Sequence, residues 1–372
     1  MKSKDLNKFK GCLFGGAVGD AFGYAVEFMN IEQIRELYGS DGITQLQLVG
    51  GKALISDDTQ MTLFTANGIL VGMTNEHLQG VRRSMERYLH NAYMDWQRTQ
   101  RLITNATASV SSWIYNVGAM HCVRAPGGTC LRSLATGLMG TLDHPINSSK
   151  GCGGIMRVSP IGLYFDPAHY DPANIDMLGA KSAALTHGHP LGFLPAAALV
   201  HLINQCVYGS FAGDDALYDI AADTIQALGV EFGNYEKTAF LQDLLRKAVD
   251  LSKQEGLDVA QIAKLGEGWV AEEALAISLY CALKYRNDFE QALIAAINHS
   301  GDSDSTGSIT GNILGTYLGY NSIPSYLLEH LELSGVIREI SEDLFRDSSA
   351  VNFAHCKEEK WQKKYVKAEY KI

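Results

Sequence analysis

The stretch LNKFKGCLFGGAVGDAFGYAVEF, residues 6–28, carries a glycine at every fourth position from 11 to 23. The stretch STGSITGNILGTYLGY, residues 305–320, repeats this spacing from 307 to 319. A period of four places each set of glycines on one face of a helix. Each glycine costs a helix about 1 kcal/mol relative to alanine, a cost that is expected where another backbone must come very close. We therefore predict two central, tightly packed helices that can pack against each other; the alternative is chance placement among the 37 glycines.

The remaining long segments also follow a helical period, and alternating runs of strand type are nearly absent. This pattern predicts an all-α protein, and no shift in composition marks a linker between domains. We expect one compact domain over residues 1–372, with a peripheral, frayed or solvated tail at 357–372 that carries six lysines. The other predicted helices are 57–71, 78–98, 180–208, 212–229, 234–253 and 268–285.

Composition restricts the class of protein. The chain is 46% hydrophobic and has a formal net charge of −10, which argues against nucleic acid as a partner because phosphate binding relies on clustered basic residues. The seven cysteines show no metal-binding spacing, so we expect reduced thiols in a cytoplasmic protein. The N-terminus lacks an apolar signal region, and the most apolar run, 190–203, is too short to span a bilayer. We therefore expect no membrane partner.

Acidic groups lie at the ends of the predicted helices. Glu27 follows the first glycine stretch, SDDT at 56–59 opens one helix, and DSDST at 302–306 opens the last. Each group alone is explained by helix capping and by favourable interaction with the helix dipole. Together they form oxygen-only groups of the kind that bind Mg²⁺, Ca²⁺ or Mn²⁺. If the carboxylates converge, two bridged cations would neutralise their mutual repulsion and orient a water molecule.

Seven stretches, in order along nearly the whole chain, resemble one family. They are GCLFGGAVGDAFGYAVEF (11–28), SDDTQMTLFTANGIL (56–70), APGGTCLRSL (125–134), GCGGIMRVSPIGL (151–163), ALTHGHP (184–190), LGEGWVAEEALAISLYCAL (265–283) and SGDSDSTGSITGNILG (300–315). The sequence is similar to the ADP-ribosylglycohydrolases, of the dinitrogenase reductase-activating and ADP-ribosylarginine hydrolase type. The pairing of SDDT with GDSDST is highly specific, whereas either motif alone is weak.

The resemblance implies a compact orthogonal helical bundle with two Mg²⁺ or Mn²⁺ ions in a central cleft. It implies as metal ligands Ser56, Asp57, Asp58, Asp302, Asp304 and Ser305. It also implies that Glu27, Asp57 or Asp302 takes a proton from the attacking water. The family usually has threonine at positions 56 and 305, and a serine hydroxyl can replace it as a ligand. Asp20, in the family's Gly-Asp pair, is interpreted as a structural hydrogen-bonding residue.

The resemblance also implies residues that contact the substrate. Its glycine segment, which lies along the diphosphate and distal ribose, corresponds to Ser149, Gly151, Cys152 and Gly153. Glycines let backbone N–H groups approach anionic oxygens, but many members have asparagine in place of Cys152. A nucleophilic role for this cysteine is not expected, since no histidine is placed to activate it.

Three further side chains are placed by the family match. His187 matches the family's substrate-contacting histidine, and His189 is either a second contact or a residue that begins a helix. Asp95 matches an aspartate that contacts the substrate ribose, and its neighbour Trp96 either lines the cleft or belongs to the core.

The resulting functional hypothesis is metal-dependent hydrolysis of the N-glycosidic bond between ADP-ribose and an arginine side chain of a modified protein. Three alternatives remain open. The first is hydrolysis of O-linked ADP-ribose, on serine or in O-acetyl-ADP-ribose. The second is an immunity protein that binds an ADP-ribosylating toxin, and the third is a two-metal phosphoesterase. The chain is longer than compact members, so 209–264 is expected to hold extra helices beside the cleft.

Overall fold

A computed structural model describes residues 4–79, 84–100, 109–349 and 358–372. Within these ranges, extended structure is limited to three isolated bridges, so the all-α prediction is confirmed. The helices are α1 Leu6–Tyr24, α2 Ile31–Tyr38, α3 Asp57–Gln79, α4 Met85–Gln100, α5 Gly128–Ala135, α6 Ser159–Tyr164, α7 Pro172–Ala184, α8 Pro190–Tyr208, α9 Ala216–Phe232, α10 Thr238–Ser252, α11 Asp258–Ile262, α12 Ala271–Lys284, α13 Phe289–Ile297, α14 Ser303–Leu318, α15 Ser325–Glu329, α16 Ser334–Ser349 and α17 Glu359–Tyr365.

The two glycine-faced helices, α1 and α14, pack directly against each other in antiparallel directions. A methyl group added to Gly15 would lie 2.3 Å from the carbonyl oxygen of Gly311, and one added to Gly311 would lie 2.0 Å from that of Gly15. The same reciprocal closeness relates Gly11 to Gly315 and Gly19 to Gly307. These distances leave no room for any side chain, which explains why glycine occupies both helix faces despite its low helix propensity.

This antiparallel register positions the acidic groups. The last glycine of α1, Gly23, lies against the carbonyl of Ser303. The end of α1 and the residue Glu27 that follows it therefore lie next to the beginning of α14, where Asp302 and Asp304 are found. The close backbone packing of two helices thus brings together residues that are almost 280 positions apart in the chain.

The buried residue Asp20 holds the acidic segment 56–59 next to the end of α1. The carboxylate of Asp20, on α1, accepts hydrogen bonds from the backbone N–H of Ser56 at 2.9 Å and of Thr59 at 3.0 Å, and also from the Thr59 hydroxyl. These donors belong to the first turn of α3, whose backbone N–H groups have no partner within the helix. Asp20 therefore caps α3 and fixes its beginning against α1, in agreement with the structural interpretation of this residue.

The predicted helix 180–208 is wrong in one respect, because it is two helices. α7 ends at Ala184 and α8 begins at Pro190. Proline disfavours helical geometry in the residue before it and is well accommodated in the first turn of a helix. His189 accepts a hydrogen bond at its Nδ1 from the N–H of Leu191 at 3.0 Å, so it acts as the residue that begins α8. The interruption leaves His187 in a short connection next to residues 149–154.

Among the described helices, α8 is the one that is both long and apolar enough to cross a membrane. Its most apolar stretch of 18 residues has a mean hydropathy of 1.4, and 94% of that stretch is buried inside the protein. The apolar run is therefore longer than the sequence pattern suggested. Core helices of soluble proteins have the same composition, and the buried apolar residues form one cluster that extends from Phe9 to Tyr365.

The C-terminal segment 358–372 is not frayed. It contains α17, in which Trp361, Lys364 and Tyr365 are buried. The ammonium group of Lys364 and the hydroxyl of Tyr365 both donate to Asp343 of α16. The expectation of a solvated, lysine-rich tail failed here because aromatic residues at helical spacing supply an apolar face among the lysines.

One buried ion pair in the core gives a testable stability prediction. His201 of α8 lies 2.6 Å from Asp176 through Nδ1 and 3.0 Å from Asp223 through Nε2. Burial opposes the charged imidazole, but the hydrogen bonds and charges of the two aspartates outweigh it and raise the pKa of His201 to about 9. We expect His201→Gln to lower the free energy of unfolding by about 3 kcal/mol, because it leaves the buried Asp176 without its partner.

The matched control is Asp223→Asn, since the Asp223 side chain is 41% exposed and an exposed ion pair contributes about 1 kcal/mol or less. Urea unfolding measures both variants. The stabilising contribution of His201 should be complete below pH 6.5 and lost as the pH rises through 9. Equal effects of the two substitutions would show that the inner pair does not carry the stability.

Candidate metal centre

A cavity of about 410 Å³ opens where the end of α1 and the beginnings of α3 and α14 meet. Its polar side consists of five carboxylates and one hydroxyl. Loop residues 125–128 and the glycine segment close another side, and two aromatic rings stand at its rim. The residues that line it are Glu27, Phe28, Asp57, Asp58, Ala125, Pro126, Gly127, Gly128, Cys152, Gly153, Met156, Trp269, Asp302, Asp304 and Ser305.

The carboxylates form two overlapping groups of three. Asp57, Asp58 and Asp304 offer oxygen atoms that all lie within 4.8 Å of one another, and so do Glu27, Asp302 and Asp304. Asp304 belongs to both groups and therefore lies between them. Two cation positions that share one bridging carboxylate are typical of two-metal hydrolytic sites. The sequence-predicted convergence of the 57–58 and 302–304 pairs is thus present in the structure.

Burial makes this arrangement costly without cations. All five side chains are at most 7% exposed, and a buried carboxylate needs a hydrogen bond or a counter-charge. Glu27 Oε2 and Asp58 Oδ2 are buried and have no hydrogen-bond partner. Each group of three therefore contains one buried carboxylate oxygen without a hydrogen-bond partner. Such an oxygen is expected where a cation is the missing partner. The residues present therefore fit two hard divalent cations.

Burial and the mutual repulsion of the carboxylates raise their pKa values. Burial, followed by the charges of Asp304 and Asp302, raises the pKa of Glu27 to about 10. Burial and the charge of Asp304 raise the pKa of Asp58 and of Asp302 well above the usual range of a carboxyl group. Burial also raises the pKa of Asp57 well above that range, although a hydrogen bond from Gly127 opposes the shift. Protons or divalent cations are thus required to keep these groups together.

Local backbone contacts hold the ligand oxygens in place. Asp57 Oδ2 accepts from the N–H of Gly127 at 3.0 Å, which ties the loop 125–128 to the cluster. Asp304 Oδ1 accepts from the N–H of Ser305 at 2.8 Å. The hydroxyl of Ser56 accepts from the N–H of Asp58 at 3.2 Å and so acts as the first cap of α3. Of the two predicted serine ligands, Ser305 lines the cavity, whereas Ser56 is fully buried and does not line it.

The glycine segment reaches the cavity through Cys152 and Gly153. The Cys152 thiol donates to Asp302 Oδ2 at 2.7 Å. Burial and the charges of Asp302 and Asp58 raise the pKa of this thiol well above its usual value. A protonated thiol that donates to a carboxylate orients that carboxylate and is a poor nucleophile. Gly151 and Ser149 lie further along the segment, where the Ser149 hydroxyl is 3.2 Å from that of Thr129.

His187 lies beneath the glycine segment and does not line the cavity. It is 1% exposed, and a methyl group added to Gly153 would lie 3.2 Å from its ring. Burial and the charge of Arg157 lower the pKa of His187 to about 3, so the ring is neutral at physiological pH. Its ring packs against the backbone of Gly151, Gly153 and Gly154, and its contact with the substrate stays a prediction.

Asp95 is not brought to the acidic cavity. Its carboxylate accepts from the N–H groups of Ser111 and Ser112 at 2.9 and 3.0 Å and from Arg98 at 2.8 Å, beside a separate surface cavity. These bonds fasten the segment that begins at 109 onto α4. The neighbouring Trp96 is fully buried and donates to Gln60 at 3.1 Å, so it is a core residue. The hydrophobic pattern of the segment 78–98 predicts a helix but does not show whether Asp95 faces the acidic cavity.

Sequence reasoning missed four contributors to the cavity: residues 125–128, Phe28, Met156 and Trp269. The loop and Trp269 lie in stretches that match the family, and Phe28 directly follows Glu27, yet no charge or hydroxyl marks them. Ala125 adopts a φ of +48°, an uncommon conformation for a residue with a side chain and one that is often found at functional sites. Apolar lining of an otherwise acidic cavity leaves no motif in the sequence.

The raised pKa values predict how the metal-free protein responds to pH. A carboxyl whose pKa is higher in the folded chain stabilises the fold fully below its unfolded value, here 3.8 for Asp20 and 4.5 for Glu27, and loses that effect as the pH rises through the folded value. Burial and the charge of Asp304 raise the pKa of Asp20 to about 7, and that of Glu27 is about 10. We expect the free energy of unfolding in EDTA to fall steadily from pH 5 to pH 9.

Urea unfolding in EDTA and in excess Mg²⁺ measures this effect. The free energy of unfolding should fall by on the order of 1.4 kcal/mol per pH unit for each carboxyl that is still protonated in the folded protein but already ionised in the unfolded chain. Mg²⁺ should flatten the slope, because it stabilises the ionised carboxylates. A stability in EDTA that is constant or rises over this range would contradict the repulsion described here.

Comparison with known proteins agrees with this geometry. The model of the family described as ADP-ribosylglycohydrolase matches residues 1–352. The ADP-ribosylhydrolase ARH3 of Mus musculus is 22% identical, over 93% of this chain and 94% of that protein. The ADP-ribosyl-[dinitrogen reductase] glycohydrolase of Rhodospirillum rubrum is 24% identical, over 89% of this chain and 92% of its own. The ADP-ribosylarginine hydrolase Tri1 of Pseudomonas putida is 21% identical, over 91% and 78% of the two chains.

A solved structure, described as an ADP-ribosylglycohydrolase-related protein complex, shares the fold. Its TM-score is 0.60 at 21% identity, with 92% of this chain and 98% of that chain covered. The fold predicted from the family resemblance is therefore confirmed. The family match spans the glycine-faced helices and every segment that contributes a carboxylate to the cavity. The chain belongs to the ADP-ribosylglycohydrolase family.

Proposed function

We propose that this protein is a divalent-cation-dependent hydrolase that cleaves the N-glycosidic bond between ADP-ribose and an arginine side chain of a modified protein. The observation that carries the proposal is the pair of carboxylate groups that share Asp304, each with an orphaned buried oxygen. The family and the relatives support removal of ADP-ribose. One relative bears the name ADP-ribosylarginine hydrolase, which supports arginine as the linkage.

The residues that would hold the cations are Asp57, Asp58 and Asp304 on one side, with Ser56 beside them, and Glu27, Asp302 and Asp304 on the other, with Ser305 beside them. When bound, Mg²⁺ or Mn²⁺ would supply Lewis-acid polarisation of ribose hydroxyls and of a water molecule. The protein itself supplies fixed negative charge. That charge stabilises the positive charge that develops on the ribose ring as the bond to the leaving group breaks.

Among the carboxylates, Glu27 is best placed to accept the proton of the attacking water. It lies on the segment after α1 and its Oε2 atom has no hydrogen-bond partner. Asp57 and Asp302 are held by Gly127 and Cys152 respectively, so their oxygens are more firmly fixed as ligands. The backbone of Gly151, Cys152 and Gly153 would then lie along the diphosphate. In this proposal Ser149 and His187 support that segment.

Release of ADP-ribose from two synthetic peptides tests the linkage. One carries ADP-ribose on arginine and the other on serine, and each is incubated with the protein and Mn²⁺. The proposal predicts release of ADP-ribose and unmodified arginine from the first peptide, with a higher kcat/KM than for the second. Preference for the serine peptide or for O-acetyl-ADP-ribose would overturn the arginine assignment but keep the hydrolase. Release of inorganic phosphate would instead indicate a phosphoesterase.

An ADP-ribosylating toxin as a binding partner stays a prediction that is supported by the net charge of −10 alone. It is separable from catalysis by testing an inactive variant. If Asp304→Asn retains tight binding of a basic transferase while ADP-ribose release is lost, the acidic surface has a binding role of its own.

A further inference from the structure

Two large aromatic side chains stand exposed at the rim of the acidic cavity. The side chain of Phe28 is 73% exposed and that of Trp269 is 40% exposed. Their rings are nearly parallel, with an interplanar angle of 20° and centroids 6.1 Å apart. Exposed apolar groups that border a polar cavity are typical of ligand-binding sites. Most of the Phe28 ring faces solvent, so the packing of the core does not explain its position.

Both rings are attached to backbone that is fixed beside the carboxylates. Phe28 directly follows Glu27. The carbonyl oxygen of Trp269 accepts a hydrogen bond from the N–H of Cys152 at 3.2 Å. The preceding Gly268 has a φ of +86°, and a methyl group added there would lie 3.4 Å from Cβ of Asp302. The aromatic faces are therefore held next to the group of three that contains Glu27, Asp302 and Asp304.

The chemistry of this rim is specific for a planar cation. The face of an aromatic ring carries partial negative charge and attracts a cation, above all a guanidinium group, which also stacks on it. Five carboxylates line the same cavity, so even two bound divalent cations leave one net negative charge there. A neutral base such as adenine would gain from stacking but not from this charge.

We propose that Phe28 and Trp269 form the subsite for the guanidinium group of the arginine that leaves, and that this pair sets the preference for arginine over serine linkages. This inference rests on the proposed function. The rings lie beside the carboxylates where the ribose would react, so the group released from that ribose is the part of the substrate that reaches them. A serine side chain has neither the charge nor the planar surface to use this subsite.

Kinetics of Phe28→Ala and Trp269→Ala test the subsite. With the arginine-linked peptide, KM should rise roughly 2- to 30-fold, while kcat changes less. Inhibition by free ADP-ribose, which has the adenine but no guanidinium group, should keep its Ki within about twofold. Phe28→Tyr and Trp269→Phe keep an aromatic face and should restore most of the affinity. Phe240→Ala, which removes a 52% exposed phenylalanine from α10, is the matched control and should change neither constant.

The possible results distinguish failure of the guanidinium subsite from failure of the proposed function. A parallel rise in the Ki of ADP-ribose would show that the rings stack on adenine and would overturn the guanidinium subsite. An unchanged KM in both alanine variants, with an active wild type, would overturn the subsite while leaving the proposed function intact. A wild type that releases no ADP-ribose from the arginine-linked peptide would overturn the proposed function and the subsite together.

Discussion

Asp304→Asn is expected to lower the rate of ADP-ribose release roughly 100- to 1000-fold and, at the same time, to stabilise the metal-free protein. The loss of rate follows from the position of Asp304, the one residue shared by both carboxylate groups. Without its charge both cation positions lose a ligand, and metal ions at such sites contribute several kcal/mol of transition-state stabilisation. The gain in stability follows because Asp304 is a major source of the repulsion that raises the pKa values of Glu27, Asp58 and Asp302.

Thermal unfolding in EDTA and in excess Mn²⁺, together with initial rates, measures both effects. The wild type should gain stability from Mn²⁺, and the variant should gain less. Asp343→Asn is the matched control, because Asp343 is also buried but binds Lys364 and Tyr365 far from the cavity. It should lose stability and keep its rate. If Asp304→Asn is less stable than the wild type in EDTA, the carboxylate stabilises the metal-free fold and the repulsion account is wrong.

Gly311→Ala is expected to destabilise the protein by about 2 kcal/mol, although alanine is the better helix former. The added methyl group would lie 2.0 Å from the carbonyl oxygen of Gly15, which is backbone and cannot rotate away. α1 and α14 must therefore separate. A backbone clash of this kind should cost about 3 kcal/mol, the upper end of the usual range for overpacking, and the roughly 1 kcal/mol gained from helix propensity offsets only part of this cost. Separation also moves Glu27 away from Asp302, so affinity for divalent cations should fall together with stability.

Gly118→Ala is the control for this substitution. No atom lies within 4 Å of the added methyl group and the backbone needs no left-handed conformation there, so the free energy of unfolding should change by less than about 1 kcal/mol. Urea unfolding of the two variants, with Mn²⁺ binding measured in parallel, provides the comparison. A Gly311→Ala protein as stable as the wild type would show that the two helices tolerate a wider separation than their packing indicates.

The glycine-faced helices α1 and α14 also show how much of the fold can be predicted from the sequence. The four-residue glycine spacing predicted two closely packed helices, because few other needs justify so many glycines on a helix face. It did not give the antiparallel register, which depends on how the chain between the helices folds. That register places Gly23 against Ser303 and so decides that Glu27 meets Asp302 and Asp304. The family resemblance implied that these carboxylates lie at one site. The glycine spacing alone is compatible with that arrangement but does not predict it.

Two of the predicted substrate contacts do not line the acidic cavity. Asp95 and His187 were placed by local motif similarity, which does not report side-chain direction. Asp95 turned to the backbone of Ser111 and Ser112, and His187 is buried beneath Gly153. Phe28 and Trp269 carry no charge, so nothing in the sequence distinguished them from core aromatics. Charged clusters at helix ends are readable from sequence, whereas the apolar and supporting residues of a cavity depend on tertiary packing.

The proposed function requires that Asp57, Asp58, Asp302 and Asp304 bind two catalytic cations. The most direct test removes all metal with EDTA and then adds Mn²⁺ in steps, while equilibrium dialysis counts bound ions and an assay follows ADP-ribose release from an arginine-linked peptide. We predict no release in EDTA and full activity at two Mn²⁺ per chain. In Asp304→Asn, fewer ions should bind and release should be roughly 100- to 1000-fold slower. Undiminished release of ADP-ribose from a fully metal-free protein would contradict the account.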